Sequence, residues 1–411
     1  MRGAAEHILE TALAGLEWTD RGGSLDDFLD RADAECRSAA GFVLFAFFRH
    51  KKAIDRLLAG FIRKTPDRKI MHLLEIAATQ VFFCRGIAGN SAVNVAVGWC
   101  RAQISRNAAG FVNAVLHKIT PLPPPEDVSP EAVLPDPVLH RWRAQFSPEE
   151  IAGFARTFLT RPETTFRCTA GEPPDAEELA ALDAETVLTP FPDCPFPFYR
   201  TRDPGKLLAS PSWQTGRWYI QDPAAAMAVS LADFRHVRRA LDICAAPGGK
   251  SLMIAEKLPP GGLLVAADRS EARQKRTREN FLRRNWDFPT PAATPEELPE
   301  HWRDFDLVLA DVPCSNTGVF RGRPDALWHF RADTVAELAD LQTHLVLAAA
   351  DRVAPGGQLV YSTCSIDREE NEERCAAFLR ERTDFRDGGE KRLLPCPGHD
   401  GAYAHRMIKV R

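Results

Sequence analysis

Apolar positions over residues 1–120 recur with a helical period. Ile70, Leu73, Leu74, Ala77, Val81 and Phe82 fall on one face of a helix. No alternating strand pattern interrupts this region, and Gly and Pro are sparse. Ser24 and Asn90 each precede such a pattern and suit an N-cap. The reading is an all-α bundle of five or more helices. Residues 121–138, PLPPPEDVSPEAVLPDPV, hold seven prolines and four acidic residues. That composition predicts a stiff extended linker and a domain boundary. Over 139–235 the pattern predicts a helix at 148–158, with Ser147 and Glu150 spaced as a capping box, within a small α+β segment.

From residue 236 the period alternates. Ala240–Cys244, Leu263–Ala267, Asp306–Ala310 and Gln358–Thr363 are apolar runs of strand length. Helical patterns lie between and after them, at 249–257, 270–284, 333–352 and 368–382. Strands alternating with helices predict βαβ units and a mainly parallel sheet. Ligands in such sheets bind at the carboxyl ends of the strands, so the residues that follow each strand carry the chemistry.

Composition narrows the class. The chain has 411 residues, 45% apolar and 26% charged, with a net charge of -4. Two or three globular domains are expected. Near-neutrality excludes a uniformly basic polyelectrolyte binder but leaves room for a basic patch. Ten scattered cysteines without a C-x-x-C pair argue against a zinc ribbon or a disulfide scaffold. They read as free thiols in a reducing cytoplasm. No signal peptide is visible, since Glu6, Glu10 and Glu17 interrupt the first eighteen residues. No apolar run is long enough to span a membrane. The histidines show no metal spacing, so no metal is expected.

Two constellations follow the expected strands. Leu241-Asp242-Ile243-Cys244-Ala245-Ala246-Pro247-Gly248-Gly249-Lys250-Ser251 runs from a strand through a glycine turn into a helix. Glycines admit a ligand close to the backbone, and a helix N-terminus offers free N–H groups. A plain β-to-α turn would have the same spacing. Asp268 ends the next strand, where an acid can accept from both ribose hydroxyls of an adenosine ligand or can cap the helix starting near Ser270. The second constellation is a pair of thiols, Cys314 in Asp311-Val312-Pro313-Cys314-Ser315 and Cys364 in Ser362-Thr363-Cys364-Ser365. A thiol that adds to carbon 6 of cytosine turns the ring into an enamine and activates carbon 5 towards methylation. An acid at ring N3 stabilises the adduct, and a second group helps to release it.

CAAPGGKS, ADVPCSNTGVFRGRPD and YSTCSIDREEN resemble, in order and spacing, the signature blocks of the Sun-family RNA cytosine-carbon-5 methyltransferases. Residues 109–118, AGFVNAVLHK, resemble the last helix of NusB-like RNA-binding domains. A NusB-like domain ahead of this catalytic domain is similar to the family's bacterial members that act on small-subunit ribosomal RNA. The resemblance implies an all-α NusB-like RNA-binding domain over 1–120 and the linker over 121–138. It implies a small α+β RNA-binding segment over 139–235 and a Rossmann-like methyltransferase domain over 236–411. Cys364 would be the nucleophile and Cys314 would assist product release. Lys250 and Asp311 would contact the base. Cys244, Ala245, Ala246, Pro247, Gly248, Gly249, Lys250 and Asp311 would wrap S-adenosylmethionine, with Asp268 on its ribose. Asn371 would fix the loop after Cys364, and Arg321, Arg323 and Asp325 would lie near RNA. The implied substrate is a cytosine of unassembled 16S ribosomal RNA, met by a monomer in the cytoplasm.

Three places depart from the family pattern. Thr290-Pro291-Ala292-Ala293-Thr294 lacks the usual acid near the adenine, with Glu296 the candidate substitute. Arg167-Cys168-Thr169 lacks the Asn of Arg-x-Asn, and Asp400-Gly401-Ala402-Tyr403 lacks an aromatic pair. Residues 49–69 carry a net charge of +6, and Arg49, Lys51 and Lys52 are its candidate phosphate contacts; a solvated helix face is the other reading. Trp213, Trp218 and Tyr219 fit either packing or base stacking. Transfer RNA stays open as substrate. A DNA methyltransferase would use Cys314 as nucleophile. A non-catalytic ribosome-assembly factor would keep the fold without binding cofactor.

Overall fold

The computed structural model describes residues 3–169, 174–191 and 194–410. The outermost residues of the expected helical and catalytic domains, and residues 170–173 and 192–193 of the middle segment, lie outside that range. The chain divides into two compact units. One runs to Arg161 and includes Phe320–Phe330; the other holds Pro162–Val319 and the residues from Arg331.

The helical unit is built on α1 (Ala4–Asp20), α2 (Leu25–Arg31), α3 (Ala34–Ala59), α4 (Arg68–Phe83), α5 (Gly89–Gln103) and α6 (Arg106–Ile119). The apolar stripe of α4 turns inward as its period requires: Leu73, Leu74 and Ala77 are fully buried beside Phe47, Ile54 and Leu116. Ser24 caps α2 by accepting from the Asp27 N–H. Asn90 is not a cap, because α5 starts one residue earlier and takes Ala88 as its N-cap.

The expected linker is only partly one. Within it lie α7 (Pro130–Val133) and the start of α8 (Asp136–Trp142), and α9 (Pro148–Leu159) follows. Pro130 and Pro137 stand in the first turns of α7 and α8, where the missing N–H has no helical partner to lose. Val133, Leu134 and Val138 are buried. The Lys52 ammonium donates to the Leu134 carbonyl at 2.6 Å and to Asp136 at 2.8 Å. The boundary therefore falls after Arg161 rather than in the proline run. Proline density marked extended chain, but apolar residues between the prolines had a core to enter. The Ser147–Glu150 capping box forms as expected.

In the second unit β1 (Thr164–Cys168), β2 (Glu185–Val187), β3 (Phe198–Thr201) and β4 (Trp218–Ile220) form an antiparallel sheet in the order β2-β3-β1-β4. Helix Ala176–Ala181 joins β1 to β2, and two short helices join β3 to β4. This is a split βαβ arrangement. Phe166, Trp218 and Leu207 are buried on one face, so Trp218 is packing. The other face presents Arg167 to Glu256, a buried ion pair at 2.9 Å.

The main sheet comprises β5 (Arg239–Asp242), β6 (Leu263–Ala266), β7 (Phe305–Asp311), β8 (Val353–Thr363), β9 (Phe385–Leu393) and β10 (Ala402–Lys409). Its order is β6-β5-β7-β8-β10-β9. Pairs among β5, β6, β7 and β8 are parallel, as the βα alternation predicts. β10 joins β8 and β9 antiparallel, an addition the alternation did not reveal. Residues 289–293 run along β6 with backbone bonds of 2.9–3.2 Å but form no strand. Pro289 and Pro291 have no N–H to give a ladder. The strand order reverses between β5 and β7, which puts the ligand crevice at their carboxyl ends. Among the described residues no helix is long and apolar enough to cross a membrane.

Candidate active site

The loop after β5 passes from Ile243 to Gly248 and starts the helix Gly249–Lys257. Gly248 has φ +97°, a left-handed conformation, and a Cβ there would stand 3.0 Å from the Thr277 methyl. A Cβ on Gly249 would stand 2.8 Å from Gln221 Nε2. The neighbouring helix Glu271–Leu282 pins the loop: Arg273 donates to the Ala246 carbonyl at 2.6 Å and Asn280 to the Pro247 carbonyl at 2.8 Å. Buried Asp268 accepts from the Ala246 N–H at 3.2 Å through one oxygen and from the Ser270 N–H at 2.9 Å through the other. The Arg273 guanidinium also stands 3.4 Å from Oδ2, so Oδ1 is the oxygen that keeps a lone pair. Ser270, not Asp268, is the N-cap of the helix. Ser251 donates to Asp242 at 2.7 Å, and burial pushes that carboxyl up to about 7.

The loops after β7 and β8 bring the two thiols together. Cys314 Sγ lies 3.2 Å from Cys364 Sγ. The Cys364 thiol also donates to Asn316 Oδ1 at 3.2 Å, and Asn316 itself is held in a left-handed conformation with φ +61°. The Cys364 hydrogen bond, then burial, push the Cys314 thiol well above its ordinary range. Beside them the Lys250 ammonium donates to Asp311 Oδ2 at 2.6 Å. Burial works against that ammonium, but the Asp311 carboxylate outweighs it and the net shift is upward. Burial pushes the Cys244 thiol up.

The turn after Cys364 is fixed from behind. Asn371 accepts from Thr363 Oγ1 at 2.6 Å and donates to the Ser365 carbonyl at 2.9 Å. Gly318 donates its N–H to the Cys364 carbonyl at 2.9 Å, and Gly401 donates to the Gly318 carbonyl at 2.8 Å. Three residues that spacing did not single out converge here. Glu370, fully buried, accepts from Ser315 N–H and from Gln342, and Asn316 bridges the cysteine turns. Glu370 adjoins Asn371 in EEN, yet Ser315 is 55 residues away in sequence, so no local pattern could pair them.

The six residues expected near RNA are not gathered on an open surface. Arg49 donates to the Phe45 and Arg321 carbonyls, and burial pulls its guanidinium down to about 10. Arg321 is 5% exposed. Lys51 pairs with Asp55, Lys52 with Asp136 and Arg323 with Asp26. Asp325 is buried and accepts from the Leu25 N–H at 2.9 Å. All belong to the helical unit. Sequence showed the charge of 49–69 but not its partners; the exposed cations there are Arg56, Arg63, Lys64, Arg68 and Lys69. Ala293, where the acid is missing, donates its N–H to the Asp268 carbonyl at 3.1 Å. Glu296 pairs with His344 at 2.7 Å, which occupies the candidate substitute. Thr169, in place of the Asn, accepts from Arg284 at 2.9 Å.

Residues 229–392 match the family described as 16S rRNA methyltransferase RsmB/F, and residues 4–121 match the NusB family. A probable ribosomal RNA small subunit methyltransferase B of Bacillus subtilis (strain 168) is 30% identical over 358 residues, 84% of this chain and 80% of that protein. The ribosomal RNA small subunit methyltransferase B of Xylella fastidiosa (strain 9a5c) is 30% identical over 411 residues, 94% of this chain and 93% of its own. The crystal structure of PH0851 covers 100% of this chain and 99% of its own with a TM-score of 0.78, at 22% identity. NSun6 from Pyrococcus horikoshii with SFG covers 67% and 98% with a TM-score of 0.57, at 18% identity. These two likenesses are of fold.

Proposed function

The chain belongs to the 16S rRNA methyltransferase RsmB/F family, and from that premise we propose that it methylates carbon 5 of a cytosine in 16S ribosomal RNA through a covalent adduct on Cys364. It is a methyltransferase, and S-adenosylmethionine is its cofactor. The observation that carries the proposal is two thiols 3.2 Å apart beside a Lys250–Asp311 pair. One thiol would form the adduct, and the second, in contact with it, would assist its release.

S-adenosylmethionine supplies an electrophilic methyl group. The residues fit it. The loop after β5 ends in a helix N-terminus at Gly249, and Asp268 keeps a lone pair on Oδ1 for a ribose hydroxyl, while Oδ2 also faces Arg273 at 3.4 Å. The loop Cys244–Gly249 would hold it, with Lys250 and Asp311 at its substrate side. The cytosine leaves its stack to enter the pocket. Cys364 Sγ adds to carbon 6, and the Lys250–Asp311 pair holds a proton at ring N3. Carbon 5, now nucleophilic, accepts the methyl. Loss of the carbon 5 proton then re-forms the double bond and expels Cys364, with Cys314 assisting.

Bisulfite sequencing of ribosomal RNA from the host and from a strain lacking the gene tests target and chemistry together. One small-subunit cytosine should lose its mark. Loss of a mark from transfer RNA alone would keep the chemistry and replace the substrate. No change in any RNA would overturn the reading.

A further inference from the structure

Beneath the two cysteines lies a carboxylate for which the mechanism above has no use. Glu370 is fully buried. Its Oε1 accepts from the Ser315 N–H at 2.9 Å and from Gln342 Nε2 at 2.9 Å, and its Oε2 accepts from the Ser315 hydroxyl. These donors are neutral. Burial in such a place disfavours the charged form of a carboxylate. A glutamine would accept from backbone and amide donors as well, so tethering the turn does not require an acid. Ser315 follows Cys314 directly, and its Oγ lies 3.3 Å from Ser365 Oγ, the residue after Cys364. The hydroxyl thus links the carboxylate to the turns that carry both thiols. The titratable groups around Glu370 are Cys314 from the loop after β7 and Tyr361 from β8, whose hydroxyl donates to the Glu370 carbonyl at 2.5 Å; Arg374 and Cys375 stand beyond Tyr361. The helix Ala332–Ala350 contributes neutral Gln342.

We propose that Glu370 is the final acceptor, through the Ser315 hydroxyl, of the proton that leaves carbon 5 when the methylated adduct is released. The proposal rests on the covalent reading above. The carbon 5–hydrogen bond breaks and its electron pair forms the carbon 5–carbon 6 double bond. The carbon 6–Sγ bond breaks, and Cys364 departs as thiolate with the electron pair of the carbon 6–Sγ bond. The proton passes to Ser315 Oγ as the hydroxyl gives its own proton to Glu370. No further reactant is needed. Burial pushes the Glu370 carboxyl up, against the Ser315 hydrogen bond, which makes it a stronger base.

Single-turnover reactions of Glu370→Gln and Ser315→Ala, with labelled cofactor and substrate RNA, test this. Both variants should form the methylated adduct at the wild-type rate and release it about 100-fold more slowly, the lower range for general base catalysis. Wild-type release should slow as pH falls and Glu370 is protonated; in Glu370→Gln the rate should be uniformly low across that range. Release at the wild-type rate with an unchanged pH profile in either variant overturns the proposal. If Glu370→Gln unfolds, Ser315→Ala decides, because it leaves the carboxylate in place. Failure of the underlying reading is distinct: wild-type enzyme would then form no adduct, or Cys364→Ala would still form one.

Discussion

Gly318→Ala tests whether the nucleophile is placed by backbone contact. Gly318 lies where three strands of chain cross. A Cβ added there would stand 2.6 Å from the Cys364 carbonyl oxygen, 2.6 Å from the Gly401 carbonyl oxygen and 2.8 Å from the Gly401 carbonyl carbon. All three are backbone atoms, so no side chain can swing aside. Gly318 does not adopt a left-handed conformation, so alanine adds no dihedral strain and the effect is contact alone. Restoring ordinary van der Waals distance moves the Cys364 carbonyl by roughly half an ångström or more. It also stretches the 2.9 Å hydrogen bond from the Gly318 N–H. Overpacking of this kind costs about 2 kcal/mol, a fall of roughly 4–8 °C in Tm for a unit of this size. Displacement of a reacting atom by about 1 Å costs on the order of 100-fold in rate. The expected result is adduct formation slowed by about 30- to 100-fold with cofactor affinity nearly unchanged, since the binding loop follows β5. Quench-flow with labelled RNA reads the first and calorimetry the second. Wild-type adduct formation in Gly318→Ala would refute the placement argument.

Other substitutions probe other parts of the site. Cys364→Ala should abolish turnover, whereas Cys314→Ala should accumulate a denaturation-resistant RNA adduct; full activity in Cys364→Ala would sink the nucleophile assignment. Asp268→Ala should weaken S-adenosylmethionine by about 10- to 100-fold, the worth of one or two hydrogen bonds to a charged acceptor, and calorimetry showing unchanged affinity would remove it from the ribose. Glu75 in α4 is buried, and desolvation pushes its carboxyl up to about 7. An acid raised on folding binds more protons folded than unfolded, so its contribution to stability falls as pH rises from about 4.5 to 7. Glu75→Gln should therefore stabilise the chain at pH 8 by about 3 kcal/mol and less at pH 5; equal effects at the two pH values would contradict the shift.

Local pattern was enough wherever one element decides its own structure. The helix Gly249–Lys257 stands where the pattern set it, because a glycine turn and an apolar stripe act within a few residues. The expected strand runs also appear, each within a few residues of its expected ends, since a parallel strand buried on both faces reads as an unbroken apolar run. Inference failed where a partner distant in sequence decides. Pro130–Val133 looks like spacer until Lys52 and a core receive the segment around it. The carbonyl partners of Arg49 and Lys52, on Arg321 and Leu134, could not be read from the run of charge. The antiparallel β9 and β10 were missed because their charged residues follow neither strand period cleanly.

The sequence by itself determined the chemistry available to this protein: a glycine turn, an acid after the next strand, and thiols at Cys314 and Cys364 behind two further strands. Those are properties of residue type and short spacing, and short-range sterics and hydrogen bonding set them. Only the tertiary structure decided that the thiols meet at 3.2 Å, that Lys250 finds Asp311, and that the Glu370 carboxylate is held by the neutral donors of Ser315 and Gln342. Parallel strands align their carboxyl ends whatever the length of chain between them. Distances across that edge are consequently set by the sheet and the core that holds it, not by separation along the sequence.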